Sequence, residues 1–157
     1  MARLKHTGFT LVELIVVIII VAIVSLYAAS RYIGRSSFAP AVAQEQVISV
    51  IRQVQVNRMQ SNVDIDSIVS NTNFTLSLRG NCVGSQAACV ERSDSRSDWV
   101  SIDDVTFSSN VGSTINFDLL GSPVDVTPPV VIQMRVSEGG CAAVHINAIG
   151  YVSRGNC

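Results

Sequence analysis

The chain has 157 residues, 48% of them hydrophobic, with 11 Lys and Arg against 12 Asp and Glu for a formal charge of −1. A balance this close to neutral gives no sign of a strongly basic domain, and so none of the phosphate-neutralising surface on which non-specific nucleic-acid affinity depends. The apolar fraction is no sign of a large soluble core, because much of it lies in the first thirty residues. Arg3, Lys5 and His6 come first, and between Phe9 and Ala29 the only plainly polar side chains are Thr10, Glu13, Ser25 and the hydroxyl of Tyr27. As a helix this run is roughly 30 Å long, the thickness of a bilayer's hydrocarbon core. Residues 9–30 are therefore expected to form a transmembrane helix. A secretory signal is the competing reading, with Ala28-Ala29-Ser30 as its cleavage site. Two features oppose it. The Gly8-Phe9 junction stands before the apolar run, and Glu13 lies inside it, where an ionised carboxylate costs about 2.5–3.5 kcal/mol and needs a partner.

Lys5-His6-Thr7-Gly8-Phe9-Thr10-Leu11-Val12-Glu13-Leu14 resembles the class III signal of type IV pilins and type II secretion pseudopilins. That signal joins a basic stretch, a glycine, an aromatic residue and a glutamate at fixed spacing ahead of a span. The resemblance implies that prepilin peptidase cuts between Gly8 and Phe9 and methylates the new amino terminus of Phe9. Residues 1–8 are then a leader. It also implies that Glu13 pairs with the positive amino terminus of an adjacent subunit, which is how a charge persists in apolar surroundings. The partners implied are prepilin peptidase, other major and minor pilins, an inner-membrane assembly platform, and inner-membrane lipid before assembly.

Beyond the span, Arg31 and Arg35 mark the exit from the apolar phase, and Gly34 and Pro40 punctuate the next stretch. A proline inside a helix removes a donor and crowds the preceding turn, so a kink is expected near Pro40. Residues 31–60 form the second half of the helical arm. Between 41 and 60, Val47, Val50, Ile51 and Val54 recur at helical spacing, with Gln44, Arg52, Gln53 and Gln55 at intervening positions. This is an amphipathic helix whose apolar face packs on a sheet. The head, residues 61–157, shows strand-like runs at 74–78, 99–102, 114–118, 130–136, 142–146 and 151–153. Helix first and antiparallel strands afterwards make an α+β, pilin-like fold, in which the C-terminal half of the long N-terminal helix covers an antiparallel sheet. Residues 81–98 are unplaced, and within them 91–98 alternates in sign, is rich in serine and reads as a solvated loop.

Cys82, Cys89, Cys141 and Cys157 all lie in the head. A span with Arg3 and Lys5 on the cytoplasmic side carries them into an oxidising periplasm, where disulfides are expected. Four cysteines allow three connectivities, and sequence alone does not choose among them. The local pairs are favoured: Cys82 with Cys89 closes a Gly-containing loop, and Cys141 with Cys157 tethers the C-terminus to the final hairpin. The spacings match no zinc site, and His145 is the only histidine beyond the leader, so neither metal nor cofactor is expected. Asp103-Asp104 is a weak calcium candidate without a Gly-centred ligand loop. His145, mid-strand among apolar residues, reads as a hydrogen-bonded head residue. No nucleophile or carboxylate pair stands at a spacing suited to catalysis, and no enzyme is expected.

Ile115-Asn116-Phe117-Asp118-Leu119-Leu120-Gly121, followed by two strands joined by a Gly turn and by Gly150, is similar to the minor pilin and H-type pseudopilin branch. Taken with the cysteines, the chain is most similar to minor pilins of the mannose-sensitive haemagglutinin type IV pilus. The resemblance implies a structural fibre subunit, held first in the bacterial inner membrane with a periplasmic head and then in the pilus at the cell surface. A minor pseudopilin of a type II secretion system is the alternative. A DNA-binding minor pilin is disfavoured, because Arg154 stands alone after Gly150-Tyr151-Val152-Ser153, where DNA-binding relatives carry a Gly-Arg-x-Arg type motif.

Overall fold

The computed structural model describes residues 9–33, 35–63, 71–136 and 139–157, without the side chains of 29–33 and 35–39. The chain divides into two compact units, Met1–Arg35 and Ser36–Cys157. In the first, α1 runs over Leu11–Ile33. Thr10 starts it: its hydroxyl accepts from the Glu13 N–H and its carbonyl from the Leu14 N–H, each at 3.2 Å. Thr-x-x-Glu at a helix start is the capping-box sequence, and a carboxylate in the first turn suits the positive end of the helix dipole. Ser25 donates to the Val21 carbonyl at 2.7 Å, so this hydroxyl is satisfied within the helix. The 18 residues Leu11–Ala28 are long and apolar enough to cross a membrane, and none of them is buried.

The second unit holds α2, Arg35–Met59, from Ser36 onward, and Pro40 falls inside it without ending the helix. Gly34, the other expected interruption, lies outside the described residues. Ala43, Val47, Ile51 and Val54 on α2 are fully buried in the core, together with residues from two antiparallel sheets. One sheet has five strands in the order β3-β2-β1-β5-β6: β1 Leu76–Arg79, β2 Cys82–Ser85, β3 Trp99–Ser101, β5 Thr114–Phe117 and β6 Pro123–Val124. The other has four in the order β4-β7-β8-β9: β4 Val105–Ser109, β7 Val130–Val136, β8 Cys141–Ile146 and β9 Val152–Gly155. A short helix, α3 Gln86–Glu91, follows β2. The architecture is thus α+β, an N-terminal apolar helix followed by antiparallel β-sheets.

Local chemistry accounts for the strand connections. Arg79 pairs with Cys82 across the two-residue turn Gly80-Asn81, and Gly80 has φ 61°, as the first central position of a type II′ hairpin turn requires. β7 buries Val130, Ile132, Met134 and Val136 in strict alternation, the pattern of a strand with one face on the core. β2 does not alternate, since all four of its residues are buried. Residues 81–98, left unplaced by sequence, therefore hold a buried strand and a helix. The expectation of a solvated loop at 91–98 is corrected at its C-terminal end. Asp94 and Ser95 are exposed, but Asp98 is buried, because its carboxylate is held from both sides by Arg96 and Ser85.

Candidate functional site

The N-terminal segment is where the sequence concentrates its functional signals. Phe9 is 72% exposed and precedes the helix start by two residues, while Glu13 stands in the first turn of α1. Capping by Thr10 fixes the backbone there, so Phe9 and the Glu13 carboxylate belong to the same helix end. Gly8 and the rest of the leader, residues 1–8, lie outside the described residues. Beyond Glu13, the large apolar side chains through Leu26, interrupted only by Ala22 and Ser25, are 43–75% exposed. In water such a surface is untenable; it requires lipid or other helices around it.

In the head, polar side chains of α2 grip backbone carbonyls, Gln44, Gln55 and Arg58 from buried positions and Arg52 from an exposed one. Gln44 donates through Nε2 to Ala143 at 2.6 Å and to Gly155 at 2.9 Å, and Arg52 donates to Val152 at 3.1 Å. Gln55 donates through Nε2 to Gly121 and Gly150, both at 2.8 Å. Arg58, fully buried, donates from Nε to Phe117 at 3.0 Å and from Nη1 to Ser61 and Val63 at 2.7 and 2.9 Å. Its Nη2 is buried without a hydrogen-bond partner among the described residues. Sequence reasoning gave Gln44 and Gln55 to the polar face, whereas both are buried. The signal was present: 44, 47, 51, 54, 55 and 58 form one stripe at helical spacing.

A second polar cluster pins the segment between α3 and β3. Arg96 bonds Asp98 through two nitrogens, Nε to Oδ1 at 3.0 Å and Nη2 to Oδ2 at 2.8 Å, and also reaches Ser85 and Asn73 at 3.1 Å. Ser85 donates to Asp98 at 2.5 Å and caps α3 by accepting from Ala88. Burial pushes the Asp98 carboxyl up, but hydrogen bonds from Arg96 and Ser85 and the Arg96 charge outweigh it, and its pKa is held below the ordinary value. The same contact raises that of Arg96, chiefly through the hydrogen bond to Asp98.

The cysteines form two disulfides, Cys82–Cys89 and Cys141–Cys157, each with Cα atoms 6.0 Å apart. The first ties β2 to α3, and the second ties the C-terminus to the start of β8. His145 is half-buried on β8, and its imidazole makes no hydrogen bond among the described residues, contrary to expectation. Its imidazole fills the space that a Cβ at Gly155 would need, so the ring is held by packing on the neighbouring strand. Asp104 sits in a turn with φ 62°, and the described residues hold no group of three or more His, Cys, Asp or Glu positioned for a metal.

Residues 3–29 match the family model for the prokaryotic N-terminal methylation motif. No curated protein and no solved structure matches the chain significantly. The motif covers the span and its charged start, and it points to a structural protein, processed by prepilin peptidase and built into an assembly of like subunits. The chain thus carries the methylation motif of type IV pilin-like and pseudopilin proteins at the head of an apolar helix that antiparallel sheets follow.

Proposed function

We propose that this chain is a structural minor pilin of a bacterial type IV pilus. On this reading prepilin peptidase cuts between Gly8 and Phe9 and methylates Phe9. The mature subunit waits in the inner membrane with its head in the periplasm, then enters the fibre through its N-terminal helix. There it supports pilus assembly and initiation and surface attachment. The observation that carries the reading is the methylation motif at residues 3–29, set on a helix whose large apolar side chains lie exposed around a single first-turn carboxylate, Glu13. The strand and turn over residues 115–121 support the minor pilin branch, with Ile115 and Phe117 buried and the Asp118 carboxylate closing the turn. They suit equally an H-type minor pseudopilin of a type II secretion system. Neighbouring genes for other prepilins favour the pilus, and secretion genes favour the pseudopilus.

Mass spectrometry of the mature subunit tests the proposal directly. The expected amino terminus is an N-methylated Phe9, and Gly8→Leu is expected to leave the precursor uncut in the membrane. An amino terminus at or beyond Ser30 identifies a conventional secreted protein and overturns the reading.

A further inference from the structure

The turns at 118–122 and 147–151 present an apolar surface that neither the helical anchor nor the core explains. Asp118 Oδ1 accepts from the N–H groups of Leu120 and Ser122 at 2.8 Å. Asn147 Oδ1 does the same for Ile149 and Tyr151 at 3.1 and 2.8 Å. The Gln55 amide joins the two turns, and Gly150 lies so close to the Gly121 carbonyl that a Cβ there would collide with it. On this rigid base Leu119, Leu120, Ile149 and Tyr151 are 49%, 78%, 76% and 62% exposed. Met59, at the end of α2, is 49% exposed and lies beside Gly121. Asp118 is the only charged residue of the two turns, and its Oδ1 is already engaged.

We infer that this surface docks the head of a neighbouring pilin-class subunit, through an apolar, uncharged face on that partner. Side chains presented on turns fixed by their own hydrogen bonds lose little freedom on docking. Five large side chains offer on the order of several hundred Å², enough to mark an interaction site but less than the roughly 800 Å² per partner of a stable free-standing complex. A freely diffusing partner would therefore be held weakly. Heads tethered side by side through their N-terminal helices meet at an effective concentration of about millimolar, where a small patch suffices. The inference thus rests on the fibre-subunit reading and adds the head surface that reading leaves unassigned.

The test uses the full-length chain in cells that make fibres, with a photo-crosslinking amino acid in place of Leu120 or Ile149. The expected product is a covalent adduct with another pilin-class subunit, at least tenfold weaker when Glu13→Val removes the anchor pairing. An adduct of unchanged yield in Glu13→Val overturns the tethered-head argument. If the subunit is in fibres yet position 120 labels lipid or no subunit, the docking surface is overturned while the fibre-subunit reading stands. If the subunit never enters fibres, both fall. As a second variant, Leu120→Lys with Ile149→Lys is expected to give processed protein at the wild-type level but at least tenfold less of it in fibres. Unchanged incorporation overturns the proposal.

Discussion

At the scale of single residues, Asp98 and Arg96 illustrate how a charged, serine-rich stretch becomes structural. Asp98 reads as one more solvated carboxylate in a run of alternating sign, since local sequence carries no mark of burial. It is buried because Ser85, thirteen positions away, and Arg96 together satisfy its oxygens. A carboxylate whose pKa is lower in the folded state binds fewer protons there than in the unfolded chain. Its stabilisation is complete above the ordinary unfolded carboxylate value, and is lost as pH falls through the depressed folded value. Urea denaturation followed from pH 7 to below about pH 4 is thus expected to show a loss of stability in the acid range that Asp98→Asn lacks. The variant is expected to be about 1–3 kcal/mol less stable at pH 7, because Arg96 loses its paired acceptor. An identical acid profile for the two proteins would show that the pair does not couple to folding.

Among the elements, α2 and the strands it covers show both the strength of periodicity and its limit. The apolar stripe through Val47, Ile51 and Val54 locates the packing face directly. The same stripe includes Gln44, Gln55 and Arg58, whose polarity conceals that they are buried. Apart from the Arg58 bonds to nearby Ser61 and Val63, their partners are carbonyls on strands and turns 59 to 111 positions further along the chain, visible only once the chain is folded. β2 escapes sequence reasoning for another reason: a strand buried on both faces loses its alternation. β6 escapes because it is two residues long and begins with proline. The terminal strand, β9, is held through Val152 and Gly155 by Arg52 and Gln44, and beyond its end by the Cys141–Cys157 disulfide. Closing a loop of this size restrains the unfolded chain by about 3 kcal/mol. Cys157→Ser is accordingly expected to destabilise the head by roughly 2–4 kcal/mol in urea denaturation of the detergent-solubilised chain. A midpoint unchanged by the substitution would mean that the helix contacts alone secure β9.

For the molecule as a whole, the proposed fibre role rests on Glu13 in the first turn of α1. The carboxylate sits in an apolar helix, and on the proposed reading pairing with a neighbour's amino terminus offsets its cost. Glu13→Val is expected to insert and to be cut after Gly8, since neither step needs that pair, yet to be lost from fibres. Pilus yield, measured with the processed state of the subunit in a strain lacking the wild-type copy, checks this. Normal fibres containing cleaved Glu13→Val protein would remove the pairing role. The sequence by itself determined the anchor, because the signals there are local: a glycine, an aromatic residue and a glutamate at fixed spacing, then an apolar run whose length is set by the bilayer. It also determined the order of helix and strands, since periodicity is carried by neighbouring residues. Only the tertiary structure decided which polar groups are buried, how α2 and the two sheets share one core, and that the turns at 118–122 and 147–151 meet over Gln55. Those outcomes turn on hydrogen bonds and close backbone approaches between residues far apart in the chain, and no local pattern encodes such a meeting.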